Sequence, residues 1–359
     1  MKGAVISLGS KSSKMVAEAM EKYFDQVNMI QLKEIEVNLG KDRGVFYKGE
    51  KLEKYDCIYV KGSFRYANLL TSIAALLEGK VPYMPIPANS FTVVHNKLLT
   101  HLALQQHNIP MPKTYVSSTV DAAKKLLDKV NYPIVMKFPE GTQGKGVMFA
   151  DSKGSASSML DALGALNQPF IIQEYIETNG TDIRALVVGE KVVASMKRVA
   201  QKEEKRANIH AGGSGEAVIL DRKTARLAVD TARALGADIC GVDVLEGSQG
   251  PLVIEANVSP GLQGLSKVST INVADAIAKY LYQKTEEILN KGNRKAAEKV
   301  MKEIVPDDNG DQEIITELNF RGEHILLPEL VTKITGFGDR KEYSLRLKKG
   351  HLEIKEFKG

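Results

Sequence analysis

Apolar and polar positions alternate in short blocks along the first ninety residues. Apolar runs at Val27–Leu32, Cys57–Val60 and Tyr83–Ile86, with the opening segment Met1–Gly9, read as strands, and helical spacing separates them at Met15–Phe24 and Leu69–Leu77. That alternation predicts a parallel sheet covered by helices, an α/β domain over residues 1–92. A helix predicted over Val94–His107 stops before Pro110 and Pro112, which cannot continue it. Beyond the prolines, strands are expected at Ile134–Phe138, Phe170–Tyr175, Ile183–Val188, Val192–Met196, Ile239–Leu245 and Leu252–Ala256. Helices are expected at Ala122–Val130, Ser155–Leu166, Thr224–Leu235 and Val273–Tyr282. Runs of strands with helices to one side predict an α+β region over 93–285. A Lys/Glu-rich helix and the loop Pro306–Asp311 read as a linker over 286–312, and residues 313–359 as a small β-rich appendage.

Composition narrows the class without choosing a partner. The chain has 359 residues, 43% hydrophobic and 26% charged, which excludes a disordered, collagenous or disulfide-stapled protein. Its net charge of +5 is too small over this length to mark a nucleic-acid or membrane-binding face. Cys57 and Cys240 each sit inside an apolar run and read as buried thiols of a reducing compartment. The apolar core of the first segment is too short for a signal peptide and no stretch is long enough to span a membrane, so a cytoplasmic protein is expected.

Three patterns carry candidate chemistry. Gly141-Thr142-Gln143-Gly144-Lys145-Gly146 follows the strand ending at Phe138; its glycines allow backbone N–H groups to converge on an anion, the alternative being a flexible hairpin turn. Lys137 closes that apolar strand, and a buried ammonium calls for an anion such as a phosphate unless it reaches solvent from an edge. A hairpin folded about Ser248 and Gln249 sets Asp243 roughly opposite Glu255, with Asn257 on the face of Glu255. Facing carboxylates in an apolar sheet call for a cation between them, and this hard-oxygen set suits Mg²⁺, the alternative being protonation of one carboxyl. Arg184, Arg198, Arg206 and Asn208 add guanidinium and amide groups suited to phosphoryl and carboxylate oxygens. His210 reads as a polar loop residue.

These residues together resemble the ATP-grasp superfamily, and within it the RimK-type glutamate ligases. The resemblance runs from the first strand to about Tyr282. It is densest in Glu140–Val147, Gln173-Glu174-Tyr175-Ile176, Asp182–Gly189, Arg206-Ala207-Asn208-Ile209-His210 and Glu255–Leu262. It implies a Rossmann-like pre-ATP-grasp domain followed by two α+β lobes that grip ATP. Position by position, it implies that Lys97 and Lys137 hold phosphates, with Gly141, Gln143, Gly144 and Gly146 in the loop that covers the nucleotide. Glu174 and Tyr175 would lie on the adenine hinge and Asp182 would meet the nucleotide. Arg206, Ala207 and Asn208 would line the phosphates and substrate, while Asp243, Glu255 and Asn257 would bind two Mg²⁺ or Mn²⁺. Lys137, Arg184 and Arg206 are the implied catalytic groups. The implied reaction is attack of a carboxylate on the γ-phosphate of ATP, then capture of the acylphosphate by an amine, most simply that of L-glutamate. The carboxylate acceptor is left open among protein tails, peptides, coenzymes and carrier proteins.

Residues 313–359 depart from ordinary RimK-type chains and resemble an AbrB-type swapped-hairpin domain. Nine basic residues against eight acidic ones give it little electrostatic footprint for nucleic acid, so it is read as a dimerisation element of a homo-oligomer, dimer or tetramer. Two alternatives are carried: a phosphotransferase that stops at phosphoryl transfer, and a nucleotide-responsive DNA regulator using the appendage.

Overall fold

The computed structural model describes residues 1–139, 146–199, 214–303, 319–321, 324–327, 331, 335–338 and 341–357. The chain divides into two compact units, Met1–Arg294 and Lys295–Gly359.

The first unit opens with β1 (Lys2–Ser7), α1 (Lys11–Met20) and β2 (Gln26–Gln31). The antiparallel meander β3 (Ile35–Asn38), β4 (Gly44–Tyr47) and β5 (Glu50–Lys51) follows, and then β6 (Cys57–Val60). β1 lies between β2 and β6 and is parallel to both. Its residues Ala4, Val5 and Ile6 are fully buried, which a strand covered on both faces requires. The meander was not expected, because its strands are only two to four residues long. Tyr83–Ile86 is not a strand: Tyr83 makes one isolated bridge to Cys57, and the prolines at 85 and 87 leave no ladder to extend.

The helices α2 (Ala67–Leu77), α3 (Ala88–Val94) and α4 (Lys97–Gln106) complete this part. The helix expected over Val94–His107 is α4, which starts later than expected because Asn96 caps it; the Asn96 side chain accepts from the N–H groups of Leu98 and Leu99 at 3.0 and 3.2 Å, and Val94 instead ends the preceding helix α3.

The first of two antiparallel sheets contains β7 (Thr114–Tyr115), β8 (Ile134–Lys137), β9 (Val147–Ala150) and β10 (Ile171–Glu174), ordered β7-β10-β8-β9. Helices α5 (Val120–Leu126) and α6 (Lys153–Ala165) cover one face. There Ile134, Met136 and Ile172 pack with Ala123, Leu127, Leu160 and Leu163 in a separate core. Alternation turns Val135, Lys137, Ile171 and Gln173 to the other face.

The second sheet contains β11 (Thr181–Val188), β12 (Lys191–Val199), β13 (Ser214–Ala217), β14 (Ile239–Gly247) and β15 (Gly250–Asn257), ordered β13-β12-β11-β14-β15. Helices α7 (Arg222–Ala234), α8 (Gln263–Val268) and α9 (Val273–Glu303) accompany it, α9 running unbroken through the expected boundary near Tyr282. Among the described residues no helix is long and apolar enough to cross a membrane.

In the second unit, β16 (Asn319–Arg321) pairs with β17 (His324–Leu326) and β18 (Tyr343–Lys348) with β19 (His351–Glu356), both antiparallel.

Candidate active site

Lys137 ends β8 on the face away from α5 and α6, and its hydrogen-bond partner there is neutral. Its Nζ donates to Gln173 Oε1 at 2.6 Å. Gln173, 2% exposed, donates in turn to Thr114 Oγ1 and meets His101 Nε2, both at 2.9 Å. His101 Nδ1 lies 2.6 Å from the Lys97 carbonyl oxygen, which fixes Nδ1 as the protonated nitrogen and leaves Nε2 to accept from Gln173. Burial keeps this histidine neutral by lowering its pKa below the ordinary value. The relay therefore joins the backbone of Lys97 to the ammonium of Lys137. The Lys97 N–H donates to Pro139 O at 2.9 Å, tying the start of α4 to the segment after β8. Burial lowers the Lys137 pKa to about 8, with Glu255 opposing that shift and Lys97 adding to it. A buried ammonium held by a neutral amide, with a second lysine close enough to repel it, forms a receptive place for a polyanion.

The glycine-rich loop joins β8 to β9, whose register pairs Lys137 with Val147. Gly141, Gln143 and Gly144 lie outside the described residues, as do Arg206, Ala207, Asn208 and His210. At the loop's end Gly146 has φ +78°, and a Cβ there would overlap the Phe138 ring, so the chain can turn there only as glycine.

On the second sheet a row of charge crosses four strands. Arg198 of β12 stands directly opposite Asp182 of β11, and Arg184 of β11 opposite Asp243 of β14, which in turn stands opposite Glu255 of β15. Arg184 grips both oxygens of Asp243 at 2.7 Å. Arg198 grips both oxygens of Asp182 at 2.5 and 2.6 Å, and its Nη2 also reaches Asp243 at 2.7 Å. Burial would raise the Asp243 carboxyl, but the two guanidinium groups outweigh it and hold the acid well below the usual range. Asp182 has only one such partner, and burial pushes it up.

The facing pair of Asp243 and Glu255 stands as the hairpin reading has it. Arg184 and Arg198 already compensate the charge of Asp243 from the β11 and β12 side, so the facing of the two carboxylates does not by itself require an external cation. Arg184 and Asp182, expected to meet substrate and nucleotide, are each held in this carboxylate network. Glu255 pairs with no described residue. A bulge at Ile254, where the pairing shifts between Asp243 and Val244, turns the strand at this point. Asn257 Oδ1 accepts from Ser259 N–H at 2.8 Å.

For a divalent ion the donor set fits. Both Glu255 oxygens are open toward described neighbours, Asn257 Oδ1 retains a lone pair, and Asp243 has taken three donors of the roughly four a carboxylate accepts. Among the described residues no three His, Cys, Asp or Glu side chains gather, so the set is two carboxylates and an amide.

Glu174 and Tyr175 stand where the chain leaves the first sheet for the second. Glu174 N–H donates to Lys113 O at 2.9 Å, and Tyr175 lies edge-on to Phe149 with ring centroids 5.9 Å apart.

Sequence reasoning missed Lys61, which follows Cys57–Val60 as Lys137 follows Ile134–Met136. It missed Gln173 and His101 as well; the only available signal was the alternation that turns Gln173 to the face of Lys137.

Two antiparallel lobes behind a parallel α/β domain, with a buried lysine ammonium on one sheet and carboxylates on the other, define an ATP-grasp fold. Residues 94–281 match the RimK-like ATP-grasp domain. A "Probable alpha-L-glutamate ligase" of Cellvibrio japonicus (strain Ueda107) is 32% identical over 293 residues, covering 80% of this chain and 97% of that protein. A "Probable alpha-L-glutamate ligase 2" of Pseudoalteromonas atlantica (strain T6c / ATCC BAA-1087) is 35% identical over 286 residues, covering 78% and 95%. The ATP-grasp ligase PsnB, solved with minimal precursor, Mg and ADP, shares the fold at TM-score 0.62 and 16% identity, covering 79% of this chain and 98% of that one. The chain belongs to the RimK-like ATP-grasp family, and it is an ATP-grasp ligase.

Proposed function

We propose that the protein joins the amine of L-glutamate to a carboxylate acceptor at the cost of ATP. The observation that carries this reading is the match of residues 94–281 to the RimK-like ATP-grasp domain, within which the buried ammonium of Lys137 stands on one sheet and the facing carboxylates of Asp243 and Glu255 on the other. The curated relatives, named as probable glutamate ligases, support glutamate as the amino acid.

In the reaction the acceptor carboxylate oxygen attacks the γ-phosphorus and ADP leaves. The glutamate nitrogen then attacks the acyl carbon, loses a proton, and inorganic phosphate departs. Lys137, held by Gln173, places a fixed positive charge beside the transferring phosphoryl group, and Lys97 adds a second. Glu255, Asn257 and the remaining lone pair of Asp243 would hold Mg²⁺ or Mn²⁺, which when bound neutralises phosphate charge. Arg184 and Arg198 keep Asp243 ionised and fix its orientation. Glu174 and Tyr175 are assigned to the adenine side, Asp182 acts through Arg198, and Arg206, Ala207, Asn208 and the glycine loop are assigned to the phosphates on their resemblance alone. The domain division at 92, 285 and 312 belongs to the same reading.

Residues 313–359 are assigned as an AbrB-like dimerisation element. Supporting this, β18 and β19 put Tyr343, Leu345 and Leu347 on one face with Leu352 and Ile354, and Leu345, Leu347 and Leu352 are exposed. A two-stranded hairpin with one bare apolar face needs a partner.

The test is ADP release with Mg²⁺, L-glutamate and a panel of carboxylates, with Glu255→Ala as the blank. Release that needs both glutamate and one carboxylate supports the reading; release no greater than the blank across the panel overturns it.

A further inference from the structure

The carboxyl ends of β1 and β6 lie side by side, with Lys61 N–H donating to Ile6 O at 2.8 Å. From β1 the chain passes through α1 to β2 on one side, and from β6 it passes to Tyr83 on the other. Such a divergence opens a crevice at the strand ends, a usual place for ligands in open α/β sheets. Lys61 stands in this crevice, 3% exposed. Its Nζ has only neutral oxygens, Tyr59 OH and Pro260 O, both at 3.3 Å, and it lies over the Tyr59 ring. No described carboxylate pairs with it.

The start of α1 meets the same loop that Lys61 touches, through Ser12. Its first turn holds Lys11 and Lys14 and no acid, so the positive end of the helix dipole meets no carboxylate of its own. The loop that follows Asn257 is stitched to both walls: Ser259 Oγ accepts from Gly62 N–H at 3.0 Å, and Leu262 N–H donates to Ser12 Oγ at 2.9 Å. Beside that loop there is room among the described residues, since none of their atoms lies within 4 Å of where a Cβ on Gly261 would stand.

A lysine buried without an anion is costly, and the cost is removed when a charged oxygen replaces a neutral one at its ammonium. We propose that Lys61 and the amino end of α1 form an acid-binding subsite that takes a carboxylate of the acidic substrate, placing it next to the loop after Asn257. The subsite rests on the glutamate-ligase reading for the identity of its ligand. Two sources carry this chemistry, the incoming amino acid and the acidic acceptor.

The test titrates protein saturated with Mg²⁺ and a non-hydrolysable ATP analogue, using two probes: L-glutamate, and an amino-blocked peptide ending in two glutamates. Lys61→Met is expected to weaken one probe at least tenfold while nucleotide affinity holds, and Lys61→Arg to retain most of the binding. The probe that weakens identifies the source. Equal binding of both probes to wild type and Lys61→Met overturns the subsite, as does binding of neither probe to wild type. Parallel loss of nucleotide affinity in Lys61→Met also overturns it, because a merely structural lysine would act that way. Thermal melting of both variants shows that they are folded. These outcomes leave the ligase reading to stand or fall on glutamate-dependent ADP release.

Discussion

Arg198 and Lys61 are buried almost equally, 6% and 3% exposed, yet the fold treats their charges in opposite ways. Arg198 is enclosed by the carboxylates of Asp182 and Asp243, whereas Lys61 touches only a phenol and a peptide carbonyl. Lys137 is of the second kind, resting on the amide of Gln173. A guanidinium saturated by acids on its own sheet is committed to structure. A lysine held by neutral groups keeps its charge available for a ligand. The pKa values follow: acid contacts raise that of Arg198 against its burial, while burial lowers Lys61 to about 7 and Lys137 to about 8.

Removing the committed cation is expected to cost the most stability. Arg198→Met leaves Asp182 and Asp243 buried with one guanidinium, Arg184, between them. Breaking a buried ion network this way costs about 3–5 kcal/mol, read as a fall in the denaturation midpoint. Arg198→Lys is expected to recover part of it, because one ammonium cannot grip two carboxylates bidentately. A loss within the error of a surface substitution would break the contrast.

Removing the available cation is expected to do the reverse. Below pH 7 Lys61 is charged in both the folded and unfolded chains, and the full burial penalty is present. As pH rises from about 7 toward the ordinary lysine value of 10.5, the folded state gives up its proton while the unfolded state keeps it, so the wild type gains stability. Lys61→Met lacks this gain. The variant should be the more stable protein at pH 6, its advantage shrinking by about 3 kcal/mol by pH 9. A constant difference between the two stability curves would show that Lys61 is not buried as a free ammonium.

The two kinds of charge also differ in how far the sequence reveals them. Lys137 was legible because three apolar residues precede it in a strand. Lys61 ends Cys57–Val60 in the same way and carries the same signal. The turn at Ser248 and Gln249 was legible and brings Asp243 to within one residue of Glu255, but on its own that register pairs Asp243 with Ile254, and only the bulge brings Glu255 directly opposite. The Arg198 network was not legible, because it depends on the lateral register of β12, β11 and β14, and β14 is far away in the chain. Nor does alternation reveal the bulge at Ile254, an extra residue on one strand only. Asn96 carried a capping signal, yet the apolar run on either side of it reads as one helix until the cap's hydrogen bonds are seen.

The smallest expected effect converts one kind of buried charge into the other. Gln173→Glu places a carboxylate where an amide now accepts from Lys137 at 2.6 Å, with Thr114 Oγ1 and His101 Nε2 as its other neighbours. The new acid pairs with Lys137 and satisfies its charge from within, as Asp243 does for Arg198. Nucleotide affinity at pH 7 should therefore fall, by about tenfold for a loss near 1.4 kcal/mol. The pH response should also change. In the wild type, nucleotide affinity is expected to decline as pH passes about 8, because burial lowers the Lys137 pKa to about 8 and only its charged form attracts phosphate. An adjacent carboxylate favours the ammonium and moves that decline to higher pH, so the variant's affinity should be nearly flat between pH 7 and 9. Titration of the ATP analogue at both pH values reads the two effects together. Weaker binding that keeps the wild-type decline would mean that Lys137 is not the titrating cation beside the phosphates, and the parallel between β6 and β8 would then hold for burial alone.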